Sequence, residues 1–204
     1  MAVLVIALPT VFYLYNSHTY DARDAWLHGS FELISILTTT GFGTANFSAW
    51  PTFLPYMLFF FAFMGGCAGS TGGGMKVIRI LLICKQGLRE IHRLIHPNAI
   101  IPIKVGKKSV SDRVVEAVWG FFSVYVICYT AMLLLLLMTG LDVTTAFTAV
   151  GACINNLGPG LGEVAAHYGD INNPAKWILC FAMLLGRLEV FTLLVLFTPM
   201  FWQR

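Results

Sequence analysis

Four long apolar stretches, separated by short polar ones, most limit how this chain can fold. They cover residues 1–15, 53–84, 114–138 and 177–202. A helix needs about 20 mainly apolar residues to cross the hydrocarbon layer of a bilayer, and the stretches are of the length and polarity typical of spanning helices. Of the 204 residues, 57% are hydrophobic and only 11% are charged, which excludes an ordinary soluble domain. The sequence therefore predicts an all-α integral membrane protein.

Two shorter semi-apolar stretches lie between the long ones, at 25–38 and 143–154. They are too short to cross a bilayer, and we expect them to be re-entrant helices. Each runs into a loop with glycine at alternate positions, TTTGFGT at 38–44 and NNLGPG at 155–160.

The order long helix, short helix, glycine loop, long helix therefore occurs twice, which indicates an internal repeat. Aligning the glycines pairs Gly41 with Gly158 and Gly43 with Gly160. We expect a first repeat at 1–93, a basic linker at 94–113 and a second repeat at 114–204. Together they form two tandem units, each resembling one potassium-channel subunit.

The two glycine loops favour cation conduction. Irregular backbone at membrane depth is tolerated only where protein or water surrounds it. Alternating glycines let carbonyl groups turn the same way, and rings of carbonyls can replace the hydration shell of potassium. The partially negative C-terminal end of a short helix also favours a cation. Taken alone, either loop is also compatible with a plain turn, but two copies in equivalent places favour a selectivity filter.

A glycine-rich run, GGCAGSTGGG at 65–74, interrupts the second long stretch. Each glycine costs a helix interior about 1 kcal/mol relative to alanine, so we expect a break inside the membrane that acts as a gate. Close helix packing through small residues is the alternative. A phosphate-binding P-loop is excluded, because Met75 stands where that motif requires lysine.

Arg187 lies in the otherwise apolar stretch 178–197. A charge at membrane depth is costly and should face protein or a water-filled cavity. We expect it to face the pore as an electrostatic latch beneath the filter. The alternative is a structural ion pair with Glu189 or Glu32, and for Glu32 itself a buried structural pair is expected.

The distribution of basic residues predicts the orientation. Nine of the 13 Lys and Arg residues lie at 76–113 against two acidic ones, a net charge of +7. By the positive-inside rule this stretch and both chain ends are cytoplasmic, and the filter loops open outward. The same charge could also serve only to contact anionic lipid.

Other chemistries have little support. The five cysteines are scattered without CxxC pairing. His92 and His96 form at most a weak metal pair outside any HExxH motif. We expect no enzyme activity, no cofactor and no nucleic-acid partner.

Four motifs together resemble the TrkH and KtrB family of potassium transporters, over nearly the whole chain. They are GGCAGSTGGGMKVIR, RLIHPNAIIPIKVG, NNLGPGLGEVA and LLGRLEVFTLLVLFTPMFW. The resemblance implies potassium uptake across the bacterial inner membrane by four repeats around one pore. It also implies a homodimer and a cytoplasmic TrkA-type nucleotide-binding ring as partner.

The same resemblance assigns site residues, with backbone carbonyls as potassium ligands. It places the third filter segment at Thr39, Thr40 and Gly41, continuing through Phe42 and Gly43. It places the fourth at Asn156, Leu157 and Gly158. The gate would comprise Gly66, Gly69, Ser70, Thr71, Gly72, Gly73 and Gly74, with Arg187 facing them.

The chain departs from that pattern because only two of four repeats are present. We expect a fragment that needs the missing N-terminal repeats. The alternative assembly is that two copies pair to supply four repeats. The alternative function is that of a non-conducting structural or regulatory half-protein. Pro159 lacks a backbone N–H, so we also expect an asymmetric, less selective filter; comparable sodium and potassium flux in the complete assembly would support this, and a strong potassium preference would contradict it. Channel-like flux and coupling to protons or sodium, as in a symporter, both remain open.

Overall fold

The chain is mostly helical. The computed structural model describes residues 2–51, 53–65, 73–99, 101–188, 191–192, 195 and 199–202. Its helices are α1 (Ala2–Asn16), α2 (Ala22–Leu37), α3 (Leu54–Met64), α4 (Val77–Ile95), α5 (Asp112–Met138), α6 (Val143–Ile154), α7 (Asn173–Arg187) and α8 (Pro199–Trp202). Short 3-10 turns lie at Phe47–Ala49 and Gly162–Val164, and a small antiparallel hairpin joins β1 (Lys104–Val105) to β2 (Lys108–Ser109).

Among the described helices, α5 is the one long and apolar enough to cross a membrane, at 27 residues. The stretch predicted at 53–84 is divided, because α3 ends at Met64 and α4 begins at Val77. Gly65 ends α3 with φ 59°, a conformation that glycine adopts without steric cost. The interruption therefore falls at the glycine-rich run.

Each helix that was predicted to be re-entrant packs against the two helices beside it in the chain. In the first half, α2 lies against α1 and α3, around a buried cluster that includes Leu14, Leu33 and Leu58. In the second half, α6 lies between α5 and α7, where Ile154 and Leu179 are buried. Helix α6 is therefore mostly buried, whereas α2 buries one face and exposes the other, where Trp26, Leu27 and Phe31 lie.

Aromatic side chains join the two halves. The ring of Phe59 on α3 lies 5.8 Å from that of Phe147 on α6, and Phe63 lies 5.8 Å from Tyr129 on α5. Gly151 on α6 gives these rings room, since a Cβ there would lie 3.0 Å from Phe63. The glycine thus lets α3 approach α6 closely.

The basic linker is also ordered. Ile103, before the hairpin, is buried with Leu82 of α4 and Val115 of α5. Arg89 of α4 is only 7% exposed and donates to Asp112 at 2.5 Å. These contacts tie α4 to the start of α5.

One face of α4 is apolar and exposed. Its residues follow alternate steps of four and three, the spacing by which two helices pair along a seam. We call this the α4 stripe; it comprises Val77, Leu81, Cys84, Leu88, Ile91 and Ile95.

Candidate functional site

The loops after α2 and α6 have the same backbone conformation. Thr38 and Asn155 end their helices with φ −86° and −85°, and ψ −2° and −4°. The next residue is left-handed in both, with φ 54° at one loop and 53° at the other, and a left-handed glycine follows two residues later. The two glycine loops are therefore structural equivalents.

Their hydrogen bonds are equivalent as well. Each helix ends in a Schellman motif, in which two successive N–H groups after the helix donate back to its last turn. The pairs are Thr39 N to Ile36 O (3.1 Å), Thr40 N to Ser35 O (2.9 Å), Asn156 N to Cys153 O (3.0 Å) and Leu157 N to Ala152 O (2.9 Å). The motif turns the chain sharply into each glycine loop.

Thr39 carries backbone strain. A β-branched residue at φ 54° is a steric outlier, whereas asparagine, as at position 156, tolerates this region. Such a conformation costs about 1–3 kcal/mol and persists only where surrounding structure enforces it. The strain therefore marks the first loop as a candidate site.

The two loops touch at Gly41. A Cβ at this position would overlap the carbonyl oxygen of Leu157 and lie 3.3 Å from Pro159. With φ 78°, Gly41 also has a conformation that other residues rarely adopt. The first loop can therefore approach the second only with glycine here.

A cavity of about 650 Å³ opens where the loops meet. Backbone of both loops and one buried carboxylate contribute to its wall. Its lining includes Glu32, Gly41, Gly43, Thr44, Gly158, Pro159 and Tyr168.

Glu32 on α2 holds the first loop in place. Its carboxylate is 2% exposed, and Oε1 accepts from the N–H groups of Thr44 (2.6 Å) and Ala45 (3.0 Å). A buried ion pair was expected for Glu32. In the described structure its partners are instead amides of the loop, with the Thr44 hydroxyl at 3.4 Å.

The second loop is held by hydroxyl groups of α6. Thr148 Oγ1 accepts from the N–H of Leu161 at 3.0 Å, and Thr145 Oγ1 accepts from Glu163 at 3.3 Å. The anchors thus serve the same part of each loop but differ in charge.

Tyr168 makes a contact that the sequence did not indicate. Its hydroxyl donates to the carbonyl oxygen of Gly158 at 2.6 Å. Tyr168 lies in an irregular segment before α7, ten residues beyond its partner, and no spacing pattern pointed to it. An oxygen assigned to the filter therefore has a side-chain partner.

The end of α6 lies against two other glycine positions. A Cβ on Gly73 would overlap the carbonyl of Asn155, and one on Gly186 of α7 would overlap that of Ile154. Tyr125 of α5 donates to Asn155 Oδ1 at 3.1 Å. Gly73, near the end of the glycine-rich run, and Gly186, in the last long stretch, therefore both lie against the end of α6, directly behind the second loop.

The predicted gate is described only in part. Gly73 and Gly74 are placed beside Asn155, and a Cβ on Gly65 would lie 2.9 Å from the carbonyl oxygen of Gly73. The two ends of the run therefore meet. The remaining predicted gate glycines and hydroxyl residues lie outside the described residues, at Gly66, Gly69, Ser70, Thr71 and Gly72.

The other predicted site residues are distributed around the loops. Arg187 is the exposed last residue of α7, directly after Gly186. Phe42 is 73% exposed on the first loop, and Asn156 Nδ2 donates to the carbonyl of Met183 at 3.4 Å. Across the described residues, no group of three His, Cys, Asp or Glu side chains is placed to hold a metal ion.

Comparisons with known proteins agree on one family. The sequence profile described as "TrkH: Cation transport protein" matches residues 3–204. The chain is 58% identical over 191 residues to the Trk system potassium uptake protein TrkH of Halomonas elongata, covering 94% of this chain and 40% of that protein. It is 52% identical over 200 residues to the Escherichia coli K12 TrkH, covering 98% and 41%.

A solved structure agrees. The crystal structure of the potassium transporter TrkH from Vibrio parahaemolyticus superposes with a TM-score of 0.91 at 54% identity, over 98% of this chain and 43% of that one. The chain thus spans about 40% of the length of the relatives it matches.

Proposed function

The chain belongs to the TrkH family of cation transport proteins, a family of membrane proteins and not of enzymes, and from that membership we propose that it forms part of a pore for potassium uptake across the bacterial inner membrane. The relatives at 52–58% identity are named potassium uptake proteins. The main observation that supports this proposal is that two loops of the same backbone conformation touch each other at Gly41.

The loops act as two segments of a selectivity filter. Thr39 to Gly43 form one segment and Asn156 to Gly160 the other, with backbone carbonyl oxygens as the potassium ligands. Support comes from the short helices, because α2 and α6 direct their partially negative C-terminal ends at the loops. The buried Glu32 carboxylate adds negative charge close to this loop. Its Oε1 would lie 3.3 Å from a Cβ on Gly43.

The glycine-rich run acts as the gate. Its described end, Gly73 and Gly74, lies against Asn155 at the base of the second filter segment. Gly186 meets the same helix end, which brings Arg187 to the vicinity of the run. Movement of the run would therefore change the space beneath the filter, with Arg187 as the latch.

The assembly follows from the partial length. Two further repeats, making up most of the remaining 60% of the relatives' length, complete the pore. The α4 stripe supports a homodimer, because exposed apolar residues at this spacing pair with a second helix. The basic residues at 76–113 face the cytoplasm, and a TrkA-type ring docks on that side. Both chain ends lie on the cytoplasmic side as well. The filter loops open to the outside.

Rubidium-86 uptake tests the proposal in cells that lack their own potassium uptake systems. This chain is joined to the remaining segment of the Vibrio parahaemolyticus relative and compared with the chain alone. We expect uptake only from the complete transporter, and we expect Gly41→Ala to abolish it, because the added Cβ overlaps the Leu157 carbonyl.

Gly140→Ala is the matched control. Gly140 has φ 89° but no described atom within 4 Å of an added Cβ, so the variant carries similar backbone strain away from the loops. Retained uptake in this control would assign the loss to the contact between the loops. A complete transporter that reaches the membrane but takes up no rubidium would favour a structural or regulatory half-protein.

A further inference from the structure

Gly41 and Gly158 are equivalent positions, yet they are held differently. Gly41 is packed against Leu157 and Pro159, as shown by the overlap that a Cβ there would make. For Gly158, no described atom lies within 4 Å of such a Cβ, and its φ is 103°. The contact between the loops therefore restrains Gly41 directly, whereas in the second loop it involves the two neighbours of Gly158 and leaves the Cβ side of Gly158 itself open.

Tyr168 supplies a direct restraint on Gly158. Its hydroxyl donates to the Gly158 carbonyl oxygen at 2.6 Å, which is short for a bond between a hydroxyl and a carbonyl. Tyr168 lies in the segment that leads into α7. Its hydrogen bond therefore ties the second loop to the chain that follows it.

The hydroxyl remains a donor under physiological conditions. Burial raises the pKa of the Tyr168 phenol, and the neighbouring Cys153 raises it further. The proton therefore stays on the oxygen, and the bond to Gly158 does not depend on pH in the physiological range.

From these contacts we infer that Tyr168 is a specificity-determining residue: its hydroxyl holds the Gly158 carbonyl at the spacing that favours potassium over the smaller sodium ion. The inference rests on the proposed function and adds a residue that acts through the filter backbone. A carbonyl oxygen has two lone pairs, so one can accept from Tyr168 while the other faces a cation. Without the bond, the carbonyl can move inward and close around sodium.

The test is Tyr168→Phe in the complete transporter, with rubidium and sodium uptake measured in parallel. The ring is retained and only the hydroxyl is removed. A hydrogen bond of ordinary net strength corresponds to a change of about two- to tenfold. We expect the ratio of rubidium to sodium uptake to fall by that factor, and a ratio that is unchanged or higher would overturn the inference.

Tyr129→Phe is the matched control. The Tyr129 hydroxyl of α5 also donates to a backbone carbonyl of this half, that of Phe147 in the middle of α6, at 2.7 Å. Removing this hydroxyl deletes a similar hydrogen bond that is distant from the loops. The ratio of rubidium to sodium uptake should therefore stay at the wild-type value. A fall in both variants would show a general loss of packing and overturn the specific role of Tyr168.

If Tyr168→Phe does not reach the membrane, 3-fluorotyrosine at position 168 decides the question. This residue is a stronger hydrogen-bond donor, so the ratio should rise, and an unchanged ratio would overturn the inference. If the wild-type complete transporter takes up no rubidium, the proposed function fails together with this inference. If it conducts but substitution at position 168 leaves the ratio of rubidium to sodium uptake unchanged, only the inference fails.

Discussion

Glu32 shows how a single side chain stabilises a loop that has little packing of its own. One carboxylate oxygen accepts from the backbone of Thr44 and Ala45, residues that line the cavity. The acceptor is buried on α2, and the backbone it holds follows Gly41 and Gly43. The residue therefore fixes where the first glycine loop ends.

We expect Glu32→Ala to lower the free energy of unfolding by about 1–3 kcal/mol, because the two amides lose their acceptor. Glu32→Gln retains an acceptor oxygen and should lose less. Thermal unfolding in detergent measures both. Glu163→Ala, at an exposed carboxylate of the other half, is the control and should unfold like the wild type. Equal melting temperatures for Glu32→Ala and the control would contradict the anchoring role.

At the residue scale, the sequence predicted the backbone better than the side chains. Alternating glycines identified both loops, and the first glycine of each pair, Gly41 and Gly158, has a positive φ of 78° and 103°, whereas Gly43 and Gly160 do not. Glu32 was recognised as buried but was assigned the wrong kind of partner. A hydrogen bond to a backbone amide leaves no compositional pattern, because any residue can supply the donor, and Tyr168 was missed for the same reason.

Among the elements, the contact between α6 and α7 depends on one glycine. A Cβ on Gly186 would overlap the carbonyl of Ile154 and lie 2.7 Å from Asn156 Nδ2. Because backbone atoms cannot move aside easily, α7 would have to shift away from the end of α6. The position at which α7 passes α6 is therefore set by this residue.

We expect Gly186→Ala to destabilise the fold and to lower rubidium uptake in the complete transporter. Gly87→Ala on α4 is the control, since no described atom lies within 4 Å of its added Cβ. It should stabilise the helix by about 0.5–1 kcal/mol. Melting temperature and uptake are measured together. A Gly186 variant that behaves like the Gly87 variant would rule out the close approach of the two helices.

The short helices were the elements best predicted from sequence. The observed bounds of α6 coincide with the predicted stretch 143–154, and α2 begins at Ala22, three residues before the predicted start. Apolar composition defines the centre of a helix, but the start of α2 is polar, so its first turn was not recognised. The hairpin at Lys104–Ser109 was missed because four of its residues are basic or glycine, which resembles an unstructured linker.

For the whole molecule, the α4 stripe predicts how two copies meet. Cys84 lies on the stripe and is exposed. A variant that retains only this cysteine should form a disulfide-linked dimer on mild oxidation in membranes. Leu88→Arg, on the stripe, should reduce cross-linking several-fold, because a buried charge at a helix seam is costly.

Leu94→Arg is the control for that experiment. Leu94 is 84% exposed on the same helix but lies off the stripe, so cross-linking should persist. If neither substitution changes the yield of the dimer, the stripe faces lipid. The measurement is the ratio of monomer to dimer on a non-reducing gel.

At this scale the sequence established the membrane class and the family through composition and four motifs, and the profile match over residues 3–204 agrees. The packing between the halves was not foreseen. It depends on Phe59, Phe63 and Phe147, aromatic residues within apolar stretches, where composition does not distinguish a lipid-facing ring from a buried one.

The unequal anchors of the two loops have a genetic consequence. Glu32 holds one loop and Thr148 holds the other, although both loops belong to a single chain. In a channel built from identical subunits, one codon change alters every wall of the pore at once. Here a mutation reaches one loop alone, so each loop can accumulate changes by small steps while its counterpart is left as it was.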